Sequence, residues 1–424
     1  MGFGKESLLS ASLSDKAIND HPGEFYHAMR IGDPVHYDEK LGLYLVSRYQ
    51  DVQQVLKDPT TFSMKKGYEE QYAKGFAEEF KEILMRDGGG FFPDAIMSDP
   101  PEHTRVRKLL DKAFSPHRIA TLEPLIAERI SGMIEKLADK GKMEAIEDFA
   151  APMTIVIICE QLGITEYDPV KIRRWSSAIT AQIGRMQDRE QMRANAREVC
   201  DLQNFLIGHI RKREANRTDD MISDLIYAET DDPKNPRLTF HEVVSLVRAL
   251  LIAGNETTAT ALGNLFFVLA TRPEVANQMY ETIDADDPRL LMRFMEELLR
   301  IEPPVRGLTR MTTKEVMLGG KLLPANAHMI VLFASANDDE SEFPCPRNFD
   351  TTRGNLGRHM TFGAGVHRCV GLTLARMEIK VAAKEIVKRI KDIKLACPVE
   401  DLTYLQTVAT RSLTYLPLTF SRRQ

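Results

Sequence analysis

The chain of 424 residues carries 56 lysines and arginines against 61 aspartates and glutamates, and 43% of its residues are hydrophobic. The net charge of −5 argues against general nucleic-acid binding, which needs a basic surface, and the hydrophobic share suits a large soluble core. The five cysteines form no CxxC pair, which excludes a zinc motif or a secreted disulfide framework and favours a reducing, cytoplasmic compartment.

The first hundred residues predict a mixed region of strands, a short helix and loops. Alternation within 35–48 predicts a β-hairpin with its turn near 39–42. The following segment predicts a short helix that ends before Pro59. Residues 62–98 are predicted to be irregular, and the glycines of DGGGFFP at 87–93 mark a loop. No apolar run typical of a secretory signal peptide precedes these elements.

Residues from Pro101 to about Arg300 show long apolar–polar periods that predict helices. The most apolar of these segments, 249–270, has the length of a membrane span. Asn255 and Glu256 lie inside it, and an ionised group in lipid is costly. The segment is therefore predicted to be a buried helix of a soluble protein without a membrane span.

Short β-type runs return after Pro303, and a last helix is predicted to follow the segment FGAGVHRCVG at 362–371. Neither a linker nor a change of composition marks a domain boundary. We therefore expect one domain over 1–424 that is mainly α with a smaller β portion. The β-rich portion is expected mainly in 30–60 and 305–335 plus the C-terminal strands, and the helical portion mainly in 100–300 and 370–391.

Cys369 stands at the end of a glycine-rich loop and at the start of the last predicted helix. The unpaired N–H groups and partial positive charge of a helix start lower the pKa of a thiol and stabilise the thiolate. Gly363, Gly365 and Gly371 allow tight turns and let a flat group approach the backbone closely. Thiolate ligation of a haem iron needs this combination, although such a cysteine taken alone is more often a buried structural residue.

The spacing of Phe362, Gly365, Cys369 and Gly371 matches the pattern FxxGxxxCxG, and His367 completes the extended form FGxGxHxC. This segment strongly resembles the haem-binding loop of the cytochrome P-450 family. The resemblance implies that Cys369 is the axial thiolate ligand of the haem iron, where it donates electron density that favours cleavage of the O–O bond.

The segment AGNETT at 253–258 places an acid and hydroxyls in the middle of the most apolar predicted helix, where polar groups are costly unless paired or used. A structural cluster satisfied by other helices is the alternative. The segment also resembles the oxygen-activation groove of the P-450 family. The resemblance implies that Glu256 and Thr257 are an acid–alcohol pair that delivers protons for oxygen activation, and that Ala253 and Gly254 lie beside bound oxygen.

Glu297 and Arg300 are three residues apart and share a helix face, so they are able to pair. Such pairs are common on solvated helix faces, but this one lies where the P-450 family has its buried structural ExxR motif. The family often adds a basic residue from a later segment, and Asn348 occupies that place here. Arg347 or Arg353 is expected to compensate.

His103 and Arg107 lie four residues apart on the helix predicted from DPPEHTRVRKLLDKAFSP. Two donors on one helix face suit an anionic group, and a solvated basic face is the alternative. The P-450 resemblance implies that these two residues, together with Arg310 and His367, bind the haem propionates through charge-assisted hydrogen bonds.

These motifs occur in the family's order along nearly the whole chain. They imply the P-450 fold, a triangular prism in which haem b lies between the long central helix and the cysteine-loop helix. They also imply a monooxygenase that inserts one oxygen atom of O2 into a lipophilic small molecule by hydroxylation or epoxidation. Since the chain contains no flavin or iron–sulfur motif, electrons from NAD(P)H are expected to arrive through a separate ferredoxin reductase and ferredoxin.

The ferredoxin is predicted to dock near Arg105, Lys108 and Lys112 through complementary charge, with ordinary surface cations as the alternative. Three rival functions are a peroxygenase that uses H2O2 directly, a haem-binding carrier or sensor without turnover, and a helical scaffold without a cofactor. The peroxygenase is disfavoured because such family members commonly lack the acid–alcohol pair.

The substrate pocket is implied by resemblance alone, and its expected lining is apolar. Arg306 and Arg411 would suit a carboxylate on the substrate unless they face solvent or a propionate. The pocket candidates are Phe91, Phe92, Leu250, Val305, Leu308, Val408 and Ala409.

Overall fold

The computed structural model describes residues 8–73, 76–183 and 186–423, and this part of the chain is mainly helical with a smaller strand portion. The α-helices in chain order are α1 Lys16–Asp20, α2 Gly23–Gly32, α3 Tyr49–Lys57, α4 Met64–Ala73, α5 Ala77–Asp87, α6 Glu102–Ala113, α7 Pro116–Ala120, α8 Glu123–Ala138, α9 Ala151–Leu162, α10 Pro169–Ile183, α11 Arg189–Ala215, α12 Met221–Tyr227, α13 Phe240–Thr271, α14 Pro273–Asp284, α15 Pro288–Ile301, α16 Phe333–Asn337 and α17 Leu372–Arg389. The strands are β1 Val35–Asp38, β2 Leu43–Val46, β3 Phe62–Ser63, β4 Lys142–Glu144, β5 Gly307–Thr312, β6 Val316–Leu318, β7 Lys321–Leu323, β8 His328–Leu332, β9 Ile390–Leu395 and β10 Pro417–Arg422.

The main sheet has the strand order β1-β2-β8-β5-β3. Its first two strands are antiparallel with Val35 opposite Val46, which confirms the predicted hairpin. Strand β8 pairs in parallel with β2 and antiparallel with β5. Smaller sheets join β4, β10 and β9, and β6 with β7. The strands therefore gather in or near the three places predicted to be β-rich, with the short β4 as an addition within the helical part.

The most apolar segment of the sequence forms α13, a helix of 32 residues. It begins with a capping box, because the Thr239 hydroxyl accepts from the Glu242 N–H while the Glu242 carboxylate accepts from the Thr239 N–H. The helix packs against α9, α10, α11 and α17, which buries most of its length. Within the described ranges, none of the helices combines the length and the apolar character needed to cross a membrane.

The segment 62–98 differs from its predicted irregular structure, since it contains α4 and α5 before the glycine loop. On α5 the side chains of Phe80 and Leu84, four residues apart, bury against Val199 and Cys200 of α11. This apolar pair lies among charged residues, so its helical period is weak in the sequence. The predicted loop is confirmed, with positive φ values of 74° and 141° at Gly89 and Gly90.

Two buried clusters frame the region between α13 and α17. The larger joins apolar residues of α6, α8, α9, α13, α15 and α17, while the smaller packs the main sheet against α3 and the segment before Cys369. The last predicted helix is confirmed as α17, which begins at Leu372, three residues after Cys369. The central helix and the cysteine loop therefore face each other across one space. The single-domain organisation over 1–424 stays a prediction.

Candidate active site

A cavity of about 390 Å³ lies between α13 and the cysteine loop. Most side chains that the sequence singled out are in its wall, so the fold brings together residues as far apart along the chain as Phe91 and Ala409. The predicted residues that line it are Phe91, Phe92, His103, Arg107, Leu250, Ala253, Gly254, Glu256, Thr257, Val305, Leu308, Arg310, Phe362, Gly363, His367, Cys369, Gly371 and Ala409.

The cysteine loop owes its shape to two left-handed glycines. Gly363 and Gly365 have φ values of 66° and 68°, a region that other residues rarely adopt. A Cβ atom at Gly365 would lie 2.1 Å from the carbonyl oxygen of Leu56 at the end of α3, so this position excludes any side chain. The Cys369 N–H donates to the Phe362 carbonyl at 2.9 Å and closes the loop.

Gly371 does not serve the tight turn predicted for it, because its φ of −84° is open to any residue. Its backbone N–H instead donates to the sulfur of Cys369. Phe362 lines the cavity from the other end of the loop, with the Arg376 guanidinium 4.7 Å from the ring centroid. The sulfur thus lies in the cavity wall with a backbone donor directed at it.

The predicted lowering of the Cys369 pKa is wrong. Burial raises the pKa of this thiol, and the Gly371 N–H and the charges of Arg107, Arg376 and Arg368 offset only part of that increase. The helix begins three residues later, so its terminal field is weaker at the sulfur than the sequence suggested. A metal-ligand position still suits the thiol, since coordination to a metal displaces the proton.

Donors without an anionic partner gather at one side of the cavity. His103 is 2% exposed, and neither of its ring nitrogens has a hydrogen-bond partner among the described residues. Its ring lies 4.3 Å from that of His367, whose Nε2 contacts the Ser98 carbonyl oxygen at 2.9 Å. Burial lowers the pKa of His103, and it lowers the pKa of His367 to about 4. Because unsatisfied buried donors are costly, these residues fit a bound anionic group.

Arg310 extends the same donor set. It is 2% exposed, and its Nη1 donates to the Thr309 carbonyl at 2.7 Å. Burial lowers the pKa of this guanidinium to about 10, and the described residues place no carboxylate in ion-pair contact with it. A buried cation of this kind favours a ligand that carries negative charge.

Arg107 has a structural contact that the sequence did not indicate. Its Nε donates to Asp111 at 2.7 Å, while its Nη1 donates to the carbonyl oxygens of Val366 and Arg368. The side chain thereby ties α6 to the cysteine loop. His103 and Arg107 do share one face of α6, as predicted, and that face is directed at the cavity.

The acid and the alcohol of α13 are held separately. Arg173 of α10 donates to Glu256 at 3.0 Å and also pairs with Glu147 at 3.4 Å. Burial raises the pKa of Glu256 by more than Arg173 lowers it. The Thr257 hydroxyl donates to the carbonyl of Ala253 at 2.7 Å, a local bond typical of threonine in helices. Arg173 was missed because its helix gives no sequence signal for contact with α13.

Small residues open α13 toward the cavity, as the sequence predicted. Ala253 is exposed and lines this space, although most residues of its helix are buried. A Cβ atom at Gly254 would lie 3.0 Å from Cδ1 of Ile158, so the glycine also permits close packing with α9. The two positions leave room in front of Glu256 and Thr257 for a small molecule.

A second acid, Glu378 of α17, was not predicted as a site residue. It is 3% exposed, lines the cavity and forms a hydrogen bond with Thr258 of α13. Burial raises the pKa of Glu378 to about 8. A single glutamate in a helix with many charged residues carries no signal that would set it apart in the sequence.

Glu378→Gln is expected to flatten the dependence of stability on pH. The pKa of Glu378 is about 8 in the folded protein, whereas the ordinary value of 4.5 applies to the unfolded chain. Between these two pH values the folded state binds one more proton than the unfolded state, so the parent protein loses stability as the pH rises from 4.5 to 8. The free energy of unfolding of the variant, relative to that of the parent protein, should therefore rise by up to about 4 kcal/mol between pH 4.5 and pH 8. Urea midpoints at pH 5 and pH 9 measure this gain, and the exposed Glu400→Gln serves as the unaffected control. An identical pH dependence in parent and Glu378→Gln would contradict the expectation.

The ExxR pair is buried and extended by a third charge. Arg300 donates to both oxygens of Glu297 at 2.8 Å, and both side chains are fully buried. Arg353 donates to Glu297 at 3.0 Å, so it compensates for Asn348, as one of the two expected candidates. The other candidate, Arg347, forms its ion pairs outside this cluster.

The prediction of Val408 as a pocket residue is wrong. Val408 is 2% exposed and packs in a separate apolar cluster with Leu13 and Phe25. Its neighbours Ala409 and Thr410 line the cavity instead. Successive residues of an extended segment point to opposite sides, so an error of one position changes the environment completely.

Neither arginine proposed to recognise a substrate carboxylate reaches the cavity. Arg306 is buried and donates to Asn19 at 3.2 Å, while Arg411 pairs with Glu302 at 3.0 Å. Both side chains are directed toward the amino-terminal helices and the end of α15. The structure gives no support to a carboxylate-binding role for them.

Two of the three cations predicted to dock an electron donor form ion pairs within the described part of the chain. Arg105 pairs with Glu242 at the start of α13, and Lys108 pairs with Asp231 at 2.9 Å. Lys112 also lies close enough to Asp231 for its charge to help Lys108 lower the pKa of that carboxyl group. These residues occupy the side of α6 opposite His103 and Arg107. This separation follows from the helical periodicity and is not apparent from their closeness in the sequence.

Comparisons with known proteins agree with this geometry. The family model described as "Cytochrome P450" matches residues 42–391. Cytochrome P450 107B1 of Saccharopolyspora erythraea is 32% identical over 388 residues, which is 89% of each chain. Vitamin D(3) 25-hydroxylase of Pseudonocardia autotrophica is 30% identical and covers 96% of this chain and 94% of its own. The solved structure of cytochrome P450 CYP109Q5 from Chondromyces apiculatus superposes with a TM-score of 0.83 at 30% identity, covering 98% and 99% of the two chains.

Proposed function

Because the chain belongs to the cytochrome P450 family of haem monooxygenases, we propose that it hydroxylates or epoxidises a lipophilic small molecule with one atom of O2. The observation that carries this proposal is the cavity in which Cys369 faces Ala253, Glu256 and Thr257. The predominantly apolar lining supports a lipophilic substrate, and a relative named as a hydroxylase supports the reaction type.

The donor set supports haem b as the form of the cofactor. Cys369 would provide the axial ligand, while His103, Arg310 and His367 would hold the two propionates through charge-assisted hydrogen bonds. The free nitrogens of His103 are the strongest sign of fit, since a buried imidazole without partners is costly. When bound, haem supplies the redox chemistry that activates O2.

The residues of α13 manage protons and water. A raised pKa lets Glu256 keep a proton at higher pH, and the ion pair with Arg173 orients its carboxyl group. The Thr257 hydroxyl is able to exchange its bond to the Ala253 carbonyl for a bond into the cavity. The apolar walls exclude bulk water, which limits loss of reducing power to side reactions.

Thr257→Ala is expected to lower the product formed per NAD(P)H at least ~10-fold, because positioned proton transfer contributes about 10²–10⁴-fold. NAD(P)H consumption should continue while its electrons appear as H2O2. Thr257→Ser should restore most of the yield. The matched control is Thr271→Ala, since Thr271 makes the same bond to a carbonyl four residues earlier, outside the cavity. An unchanged yield in Thr257→Ala, with H2O2 alone sustaining turnover, would favour the peroxygenase.

The electrons are proposed to come from NAD(P)H through a separate acidic ferredoxin that docks beside the cysteine loop. Val366 is 39% exposed there, and Arg368 next to it is also exposed. The exposed Lys57 ends α3, which packs on the same loop. Across the described residues, neither Arg368 nor Lys57 forms an ion pair, so both charges are available to a partner.

Charge changes on this docking surface, defined by Lys57, Val366 and Arg368, are expected to slow reduction by the ferredoxin about 10-fold at low salt. The variant combines Lys57→Glu with Arg368→Gln, and the CO spectrum of the reduced protein checks that thiolate ligation is intact. The control combines Lys108→Glu with Lys112→Glu on the other side of α6. Stopped-flow rates at several salt concentrations give the answer, and a slower rate in the control alone would overturn this placement.

A further inference from the structure

One carboxyl group of the cavity wall has no part in cofactor or proton chemistry. Asp94 lies between the glycine loop and a short 3-10 turn, Ala95–Met97. It lines the cavity and also an outer groove of about 1270 Å³, so it stands where the two spaces meet. Phe91 and Met97 border both spaces as well. A ligand that enters from the groove therefore passes this carboxyl group.

The nearest cation is already occupied by the protein. Arg248 of α13 donates through Nη2 to the Phe92 carbonyl at 2.8 Å and through Nη1 to the side chain of Gln203. These bonds fix the guanidinium between the loop and α11. It lowers the pKa of Asp94 through space, but the two side chains form no ion pair in the described structure. Arg248 thus favours negative charge nearby without satisfying the carboxyl oxygens.

Asp94 has acceptor capacity to spare. Its Oδ1 accepts from the Ile96 N–H at 3.2 Å, and within the described ranges this is the one hydrogen bond that its side chain makes. A carboxylate offers about four acceptor sites, so most of them are unused. The side chain is half-buried at the junction of the two spaces, and burial raises the pKa of its carboxyl group. Such a group is stabilised by a ligand that donates a hydrogen bond.

We propose that Asp94 anchors the substrate and selects lipophilic molecules that carry an O–H or N–H donor, such as a hydroxyl or amino group. The donor would bind Asp94 while the apolar body of the molecule lies against Leu250 and Ile96 in the cavity. This inference rests on the proposed function, because it takes the cavity as the substrate site. It replaces the carboxylate recognition expected from Arg306 and Arg411, which lie outside the cavity.

Titration calorimetry of the purified haem-loaded protein tests the anchor with ligands of one skeleton. The probes are 1-adamantanol and 1-methoxyadamantane, which differ in the donor, and 1-adamantanamine. The alcohol should bind about 10-fold more tightly than the ether, in line with one buried hydrogen bond. A hydroxyl-specific anchor leaves the amine no better than the alcohol, whereas an anchor for ammonium groups makes the amine bind more tightly than the alcohol.

Variants separate the anchor from the general shape of the pocket. Asp94→Leu should abolish the preference for the alcohol, while Asp94→Asn, which keeps an acceptor oxygen and the bond to Ile96, should retain it. Glu102→Leu is the matched control, because Glu102 is an exposed acid of the outer groove alone. Equal affinities for alcohol and ether in the parent, or a preference that survives Asp94→Leu, would overturn the proposal. A failed anchor leaves NAD(P)H-dependent product formation intact, whereas a failed monooxygenase assignment removes it, so the two failures are distinguishable.

Discussion

Replacing Cys369 with serine is expected to abolish the strongly red-shifted Soret band of the reduced protein under CO and to lower product formation below detection. The cavity wall of the described structure contains no other cysteine, and the thiol has the Gly371 N–H directed at its sulfur. Serine keeps the size of the side chain and the loop bond from residue 369 to Phe362. It removes the soft, electron-donating ligand on which thiolate chemistry depends.

Cys345→Ser is the matched control for this substitution. Cys345 is exposed and lies outside the cavity, so its variant should keep both the band and the activity. Haem content is measured in parallel, because the donor set around His103 is expected to retain the group when the axial ligand is weakened. A red-shifted band that persists in Cys369→Ser would remove Cys369 from the role of ligand and with it the central assignment.

Glu297→Ala is expected to destabilise the fold by about 3–5 kcal/mol, which is the effect of removing one partner from a buried ionic cluster. The substitution leaves Arg300 and Arg353 buried without their carboxylate. It also removes the acceptor for the Asp350 N–H, which Glu297 bonds at 2.9 Å. Urea unfolding followed by circular dichroism measures the loss.

Two further variants make this result specific to the buried charges. Glu297→Gln keeps the shape and part of the hydrogen bonding, so its loss should be smaller than that of the alanine variant. Glu274→Ala on the exposed side of α14 should change stability by less than about 0.5 kcal/mol. A Glu297→Ala protein that is as stable as the Glu274→Ala control would show that the arginines find other partners.

The parts of the site that the sequence predicted have short-range signals. The glycines before Cys369 indicate positive φ angles that other residues rarely adopt, and Gly365 has such an angle. The polar residues of 253–258 stand out because their neighbours are apolar. In both cases the unusual residue types are adjacent in the sequence, so they are recognisable without knowledge of the fold.

The parts that the sequence did not reveal depend on contacts between distant elements. Arg173 meets Glu256 only because α10 crosses α13, and no local pattern marks that crossing. Val408 was misplaced because burial in an extended segment changes at each residue. The docking prediction stays a prediction, but Lys108 and Arg107 are adjacent in sequence and lie on different sides of α6, and Arg107 is the one that contacts the cysteine loop.

The contact between Gly365 and the end of α3 limits how the protein can be redesigned. The Leu56 carbonyl oxygen occupies the space that a side chain at position 365 would need, so the loop and the end of α3 are in direct contact there. A transfer of the loop into another protein scaffold would fail unless the end of α3 were transferred together with it. In directed evolution, library positions at the end of α3 and in the loop should therefore be varied together, because a gain at one of them is tolerated only when the other yields space.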